Sequence, residues 1–396
     1  MAAPKPYWQL AAEETYPNDA AFARFLAGGP RRVYFGIDPT SPMIHIGHAV
    51  PLRILRSLQE EGHHVTLLIG SFTTLVGDPS GRDVTRPVLT EQDIAANMRT
   101  YTEQVSRILD LKRTTVLENS AWYTDPRKLG TLRRFLELGQ SFTAAQLWER
   151  DMFQERQRKG QPVTLTEFIY PVLQAYDFAT MDAEVQVGGT DQTFNMLAGR
   201  ELAKKLGTGE KFVVTTRLLR GTDGRKMSKS FGNTIGVTEA PAEMYGKLMS
   251  VRDELIAEYY ELAAGVDASA PELRSRVESD PRGAKAAMAH EVVTFYHGAV
   301  AAEQAARAFD ARFRDGELPT NIEERTPSVL HEEKLAFFLV DLGLATSKSE
   351  ATRLIQQGGV VVDGVRIEDP YAVLTPYGGM VIQVGKRRVI KIKAGA

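Results

Sequence analysis

The chain of 396 residues contains no cysteine. That excludes disulfide bridges, zinc sites built on thiolates and catalysis by a thiol nucleophile. No uninterrupted apolar run reaches the roughly 20 residues needed to span a bilayer. Residues Met1 to Tyr16 lack a basic start followed by an apolar stretch, so no secretory signal is read there and a cytoplasmic protein without membrane attachment is expected. Neither sign of charge dominates: 48 Lys and Arg against 50 Asp and Glu give a net charge of −2 and no global reason to expect nucleic acid. The bias is local. From His331 onward 9 basic residues face 7 acidic ones, and Lys386, Arg387, Arg388, Lys391 and Lys393 sit among valines and isoleucines without an acid. Such a stretch is either an edge strand protected by its lysines or a phosphate-contacting surface, and composition leaves both open. A hydrophobic content of 43% and a charged content of 25% are ordinary for a globular protein, and the length calls for two or three domains.

Alternating strand and helix patterns organise the first half. Arg32-Val33-Tyr34-Phe35-Gly36-Ile37-Asp38 reads as a strand ending at the turn Pro39-Thr40-Ser41-Pro42. Helical text from Ile46 to Glu61 stops at Gly62, and His64 to Ile69 is the next strand, running into Gly77-Asp78-Pro79-Ser80-Gly81-Arg82. A helix around residues 90–110 precedes a strand near Thr115-Val116-Leu117. This order predicts a parallel α/β sheet whose ligands gather beyond the carboxyl ends of its strands. Residues 125–180 read as mostly helical with a break at Gly160-Gln161-Pro162. Glu184 to Gly189 returns to strand, with Thr190-Asp191 able to cap the helix that follows. Phe212 to Thr216 is the last strand before a lysine-rich loop, residues 241–315 are helical, and Leu318 to Pro327 reads as a linker.

Two short strings about 180 residues apart carry the chemistry. His45-Ile46-Gly47-His48 opens a helix, where free backbone N–H groups and partial positive charge favour phosphate. His45 and His48 are neighbours on one helical face, and Gly47 lets a flat ring approach the backbone. Lys226-Met227-Ser228-Lys229-Ser230 is a loop with a hinge from Gly221 to Gly224. Its Lys226, Lys229 and Ser230 can close over a triphosphate and balance the charge building on departing pyrophosphate. Imidazoles and ammonium groups with no thiol point to stabilised phosphate charge rather than a covalent protein intermediate. A further helical set, Tyr170, Gln174 and Asp177, falls at i, i+4 and i+7, one polar face flanked by Ile169, Val172, Leu173 and Phe178.

Together the two strings resemble the signatures of the class I aminoacyl-tRNA synthetases. The residues between them, Tyr34 to Thr40, Glu167 to Asp177 and Val187 to Gln192, resemble the bacterial tyrosyl enzymes, in that family's order from about Tyr34 to the C-terminus. The resemblance implies a Rossmann-like, doubly wound parallel-sheet catalytic domain with a helical insertion over residues 1–225. It implies a mobile loop and helical domain over 226–318, a linker over 319–330, and a small α+β RNA-binding domain over 331–396. In that frame Tyr34 and Asp177 would grip the phenol of L-tyrosine, while Tyr170, Gln174 and Asp78 would bind its ammonium. Gly36, Gly189 and Asp191 would hold the ribose of ATP, with Asp38 and Gln192 near the adenylate junction. Thr40, His45, Gly47, His48, Lys226, Lys229 and Ser230 would face ATP, with Arg82 and Arg86 as further phosphate contacts. ATP would be a substrate, bringing Mg2+ with it and with pyrophosphate, and no zinc is expected. Leu339 to Ala351 and Arg353 to Gly364 resemble an RNA-binding domain shared with a small-ribosomal-subunit protein, so Arg353, Lys386, Arg387 and Arg388 would track tRNA phosphates. The family is homodimeric. The tryptophanyl enzymes share both signatures, and Tyr34 with Asp177 argues against them; a scaffold that binds RNA without activity is opposed by the intact histidines and lysines. Many bacterial relatives carry Lys-Phe-Gly-Lys-Thr in place of the loop signature here, and some have cysteine where this chain has Phe35.

Overall fold

The computed structural model describes residues 5–80, 89–313, 322–385 and 388–393. The chain divides into two compact units, Met1–Ala302 and Glu303–Ala396, so residues 226–302 stay with the sheet rather than forming a body of their own.

The first unit is built on six strands: β1 Ala12–Tyr16, β2 Arg32–Ile37, β3 His64–Ile69, β4 Thr114–Glu118, β5 Val185–Gly189 and β6 Phe212–Thr216. Their order is β1-β6-β5-β2-β3-β4, with β1 antiparallel to β6 and every other pair parallel. The inner strands read as unbroken apolar runs because helices cover both faces of such a sheet; Val33, Tyr34 and Phe35, and all of Phe212–Thr216, are buried. The chain winds outward through β2, β3 and β4, then returns to lay β5 on the other side of β2. Between the carboxyl ends of β2 and β5 the direction of winding reverses, and a crevice opens there.

Helices α1 Ile46–Glu60, α2 Glu91–Ser106, α4 Leu165–Thr180 and α5 Thr193–Leu206 carry or flank residues of that crevice, and α3 Leu132–Gly139 packs Leu138 into the same core as Tyr34. Helix α1 is buried nearly all round, through Ile46, Ala49, Val50, Leu52, Ile54, Leu55 and Leu58. Helices α4 and α5 meet at Gly199, where an added Cβ would stand 3.0 Å from the Phe178 Cβ. Thr190 and Asp191 do not cap α5. They form a 3-10 turn, Thr190–Gln192, and the Thr190 hydroxyl donates to the Thr216 carbonyl at 2.6 Å, tying the end of β5 to β6. Residues 5–31, unassigned by pattern, supply the edge strand β1 and a helix Asp19–Ala27 capped by Asn18.

The second unit packs helices Leu335–Asp341 and Lys348–Gln356 on a five-stranded sheet around Phe338, Leu339, Ile355, Val360, Ile382 and Ile390. Ser347 caps its second helix, accepting from the Glu350 N–H at 3.2 Å. Part of the stretch read as linker is strand: Glu323–Arg325 pairs in parallel with Arg388–Ile392.

Candidate active site

Strand β2 delivers Tyr34 and Asp38 to the crevice, and α4 delivers Tyr170, Gln174 and Asp177. The Asp177 carboxylate is 4% exposed and surrounded by donors. Trp122 Nε1 donates to Oδ1 at 2.8 Å, the Tyr123 hydroxyl reaches the same oxygen, and Asn119 Nδ2 donates to Oδ2 at 3.2 Å. Burial nevertheless pushes the carboxyl up to about 7, against those donors. The Tyr34 hydroxyl, 1% exposed, has no hydrogen-bond partner among the described residues. Its phenol is raised well above the usual value by burial and by the nearby charge of Asp177, so it stays a donor. A bridge joins this end of the site to Asp38: Asn119 Nδ2 also donates to the Thr73 hydroxyl at 2.9 Å, and Thr73 donates to Asp38 Oδ1 at 2.8 Å. The Tyr170 hydroxyl donates to Asp38 Oδ2 at 3.0 Å. Gly70 makes room for this arrangement, since a Cβ there would fall 1.9 Å from Asp38 Oδ1.

A second carboxylate set lies beside it. Asp78 Oδ2 accepts from Gln192 Nε2 at 2.8 Å, and Asn195 Nδ2 donates to both Gln174 Oε1 and Gln192 Oε1, at 2.9 and 3.0 Å. Asp78 Oδ1 is held by the Ser80 N–H at 2.8 Å, and the Ser80 hydroxyl accepts from Arg150 Nη2 at 2.9 Å. Arg150 is 8% exposed, lies over the Phe153 and Phe194 rings, and feels Asp78 and Tyr170 electrostatically. Besides the Tyr34 hydroxyl, Arg150 Nη1, Asn195 Oδ1 and Gln186 Oε1 are buried without a partner among the described residues. Gln186 is the register partner of Tyr34 across β5 and β2. Buried polar atoms are nearly always paired, so these unsatisfied donors and acceptors beside Asp38, Asp78 and Asp177 mark a site for a polar ligand.

The phosphate side is built at the start of α1. His45 is the N-cap, its Nδ1 accepting from the His48 N–H at 3.2 Å, and the two rings stack with centroids 3.6 Å apart. Burial, with His48 and Lys229 nearby, drives its imidazole down to about 2. His45 is therefore neutral, with its remaining proton on Nε2 as a donor. Positive charge comes from the lysines and the helix N-terminus. Lys229 Nζ donates to the Ser41 hydroxyl at 2.5 Å, Lys226 Nζ stands 3.8 Å from Asp191 Oδ2, and Met227 is buried against Gly47, whose Cβ would meet its sulfur at 3.3 Å. Burial raises the Asp191 carboxyl while Lys226 pulls the other way. Gly36, next to last in β2, is exposed, and Gly189 leaves space that Asp191 Oδ1 occupies. Thr40 sits on the same turn, its N–H donating to the Asp38 carbonyl at 2.7 Å.

The crevice thus gathers Tyr34, Gly36, Asp38, Thr40, His45, Gly47, His48, Asp78, Tyr170, Gln174, Asp177, Gly189, Asp191, Gln192, Lys226 and Lys229. Ser230 is not brought in; it is exposed and shares a 2.9 Å hydrogen bond with Ser228. Arg82, Arg86, Lys386 and Arg387 lie outside the described residues. In the second unit Arg353 is exposed, whereas Arg388 commits Nη1 to the Leu344 carbonyl. Thr73, Asn119, Trp122, Tyr123 and Arg150 escaped the sequence reading. Only the run Asn119-Ser120-Ala121-Trp122-Tyr123 just after β4, at a carboxyl end of the sheet, could have signalled four polar contacts there.

Known proteins match this geometry. The sequence family described as tRNA synthetases class I (W and Y) matches residues 27–314, and the S4 domain matches residues 333–381. The tyrosine–tRNA ligase of Bordetella pertussis is 46% identical over 384 residues, covering 95% of this chain and 92% of that protein. That of Thermotoga maritima is 42% identical over 372 residues, covering 93% and 91%. In fold, the chain resembles a C-terminally truncated Aspergillus nidulans mitochondrial tyrosyl-tRNA synthetase, with a TM-score of 0.65 at 23% identity over 78% of this chain and 94% of that one.

Proposed function

The chain belongs to the class I synthetases and, among them, to the tyrosine–tRNA ligases, and from that premise we propose how its residues divide the work. The reaction joins tyrosine to tRNA with ATP. Tyr34 and Asp177 bind the tyrosine phenol, and Asp78, Tyr170, Gln174 and Gln192 bind its ammonium. Gly36, Gly189 and Asp191 take the ribose, releasing Lys226 from Asp191 toward the phosphates, and Asp38 lies at the junction. The tyrosine carboxylate attacks the α-phosphorus as the bond to pyrophosphate breaks. The terminal ribose hydroxyl of tRNA then attacks the tyrosyl carbonyl and releases AMP. Because the substrates supply both nucleophiles, positioning and charge stabilisation carry the catalysis. His45 donates through Nε2, His48 and Thr40 support the same edge, and Lys226 and Lys229 meet the charge growing on pyrophosphate. Magnesium enters as part of the nucleotide substrate.

The observation that carries this reading is the buried Tyr34 hydroxyl beside Asp177, without a hydrogen-bond partner among the described residues. A phenol satisfies it; a phenylalanine ring leaves it and the carboxylate short of a partner. The test is exchange of pyrophosphate into ATP, with tyrosine, tryptophan and phenylalanine compared. Exchange with tyrosine alone is expected, and equal exchange with phenylalanine would remove the phenol contacts. Lys229→Ala should slow exchange by about 10²-fold with little change in tyrosine affinity.

Two partner surfaces belong to the same proposal. Arg353, with Arg388 beside it, contacts tRNA phosphates through the S4 domain. A second copy of the chain covers the exposed apolar residues Val116 and Leu117 on edge strand β4 and Leu132 and Leu136 on α3. No described helix is long and apolar enough to cross a membrane; the activity is assigned to the cytoplasm, where tRNA is charged.

A further inference from the structure

We propose that Asn233, four residues beyond Lys229, is the positioning residue that fixes the shape of the lysine loop for adenylate formation; this rests on the reading that the loop meets ATP. Asn233 is 3% exposed, although it follows the exposed run Lys229 to Gly232. Its amide is fully engaged. Oδ1 accepts from the Ser228 N–H at 2.8 Å, and Nδ2 donates to Asp223 Oδ1 at 2.8 Å and to the Lys226 carbonyl at 3.1 Å. Its own carbonyl accepts from the Thr222 N–H at 3.3 Å. One side chain therefore ties the incoming strand of the loop, the backbone of Lys226 and the turn before Lys229.

The surroundings are shaped for it. A Cβ on Gly221 would fall 2.2 Å from Asn233 Nδ2 and 2.4 Å from its Cγ. Asp223 also accepts from the Arg225 N–H, and the Arg225 guanidinium lies over Phe231 at 4.4 Å, closing the loop on its outer side. Without Asn233 the lysines would keep their charge and lose their direction, and misdirected charge lowers transition-state stabilisation more than ground-state binding. Neither Lys226 nor Lys229 needs to touch tyrosine for this to hold.

The test compares Asn233→Ala, Asn233→Asp and the double variant Asn233→Asp with Asp223→Asn in pyrophosphate exchange, with Lys229→Ala alongside. Asn233→Ala is expected to lower kcat by roughly 10-fold or more while KM for tyrosine stays within about twofold. Asn233→Asp sets two carboxylates together and should do no better. The double variant restores a donor–acceptor pair and should recover part of kcat. Trypsin should cut at Lys226 and Lys229 faster in Asn233→Ala than in the parent, with an unchanged unfolding midpoint. Gly221→Ala, which displaces Asn233 without touching a lysine, should copy Asn233→Ala. A normal kcat in Asn233→Ala while Lys229→Ala is slow overturns the role of Asn233 alone. Normal rates in both overturn the loop reading and this inference with it. A loss in Asn233→Ala that comes with a lowered unfolding midpoint and no recovery in the double variant reduces Asn233 to a stabilising residue.

Discussion

His45 illustrates what burial does to a residue whose type suggests another role. Two imidazoles and two ammonium groups were expected to share the phosphate charge, yet His45 is an N-cap whose ring is held neutral by burial. Its folded pKa, about 2, lies below the unfolded value of 6.5. The unfolded chain therefore takes up a proton below pH 6.5 that the native state refuses until far lower pH. The associated stability is complete above pH 6.5 and is lost as pH falls toward 2. His45→Asn keeps an acceptor for the His48 N–H and removes this liability. Its stability relative to the parent should improve by up to about 1.4 kcal/mol per pH unit between pH 6 and 4, measured by urea unfolding at each pH. Parallel acid profiles for the two proteins would show that His45 titrates normally in the native state.

Helix α4 carries the polar face of the site, so its rigidity sets where Tyr170, Gln174 and Asp177 point. Its first turn is closed by a capping box between Thr164 and Glu167, and the Glu167 carboxylate is buried with the Arg156 guanidinium. Such a pair adds little over an apolar replacement, but removing one partner strands the other charge away from water. Arg156→Met is expected to destabilise the protein by about 3–5 kcal/mol, measured by denaturant unfolding. Adding Glu167→Met should return most of that, leaving a deficit of about 1 kcal/mol from the lost cap. A single variant as stable as the parent would show that Glu167 protonates readily where it stands.

At the scale of the molecule, the two surfaces left for partners answer to different measurements. Leucines 132 and 136 lie at i and i+4 on α3 and are 73% and 60% exposed, more than an isolated subunit gains from. Leu132→Asp with Leu136→Asp should shift the sedimenting species from dimer to monomer; an unchanged dimer would place the interface elsewhere. Arg353→Glu should raise KM for tRNA several-fold, and the effect should shrink as salt rises, because each phosphate contact contributes through released counterions. Pyrophosphate exchange, which needs no tRNA, should stay at the parent rate in that variant. A fall in exchange instead would tie Arg353 to the first unit's chemistry.

The strands, the helix at His45, the lysine loop and the polar face of α4 were legible in the sequence because each is a local pattern. Strand and helix periods repeat within a few residues, and Asp38, His45, Gly47 and Asp191 sit at turns or helix starts that their own neighbours specify. Even so, local signals misassigned Thr190 and Asp191 as a cap, and passed over the strands Ala12–Tyr16 and Glu323–Arg325, whose pairing partners are distant in the chain. The tertiary structure alone decided that Asn119, Trp122 and Tyr123, 54 to 58 residues before Asp177, donate to its carboxylate. It also decided that Arg150 backs Asp78, that Asn233 braces the lysines and that His45 is neutral. Each of these depends on desolvation and on hydrogen bonds closed across the fold. Burial is a property of every neighbour at once, so no stretch of sequence contains it.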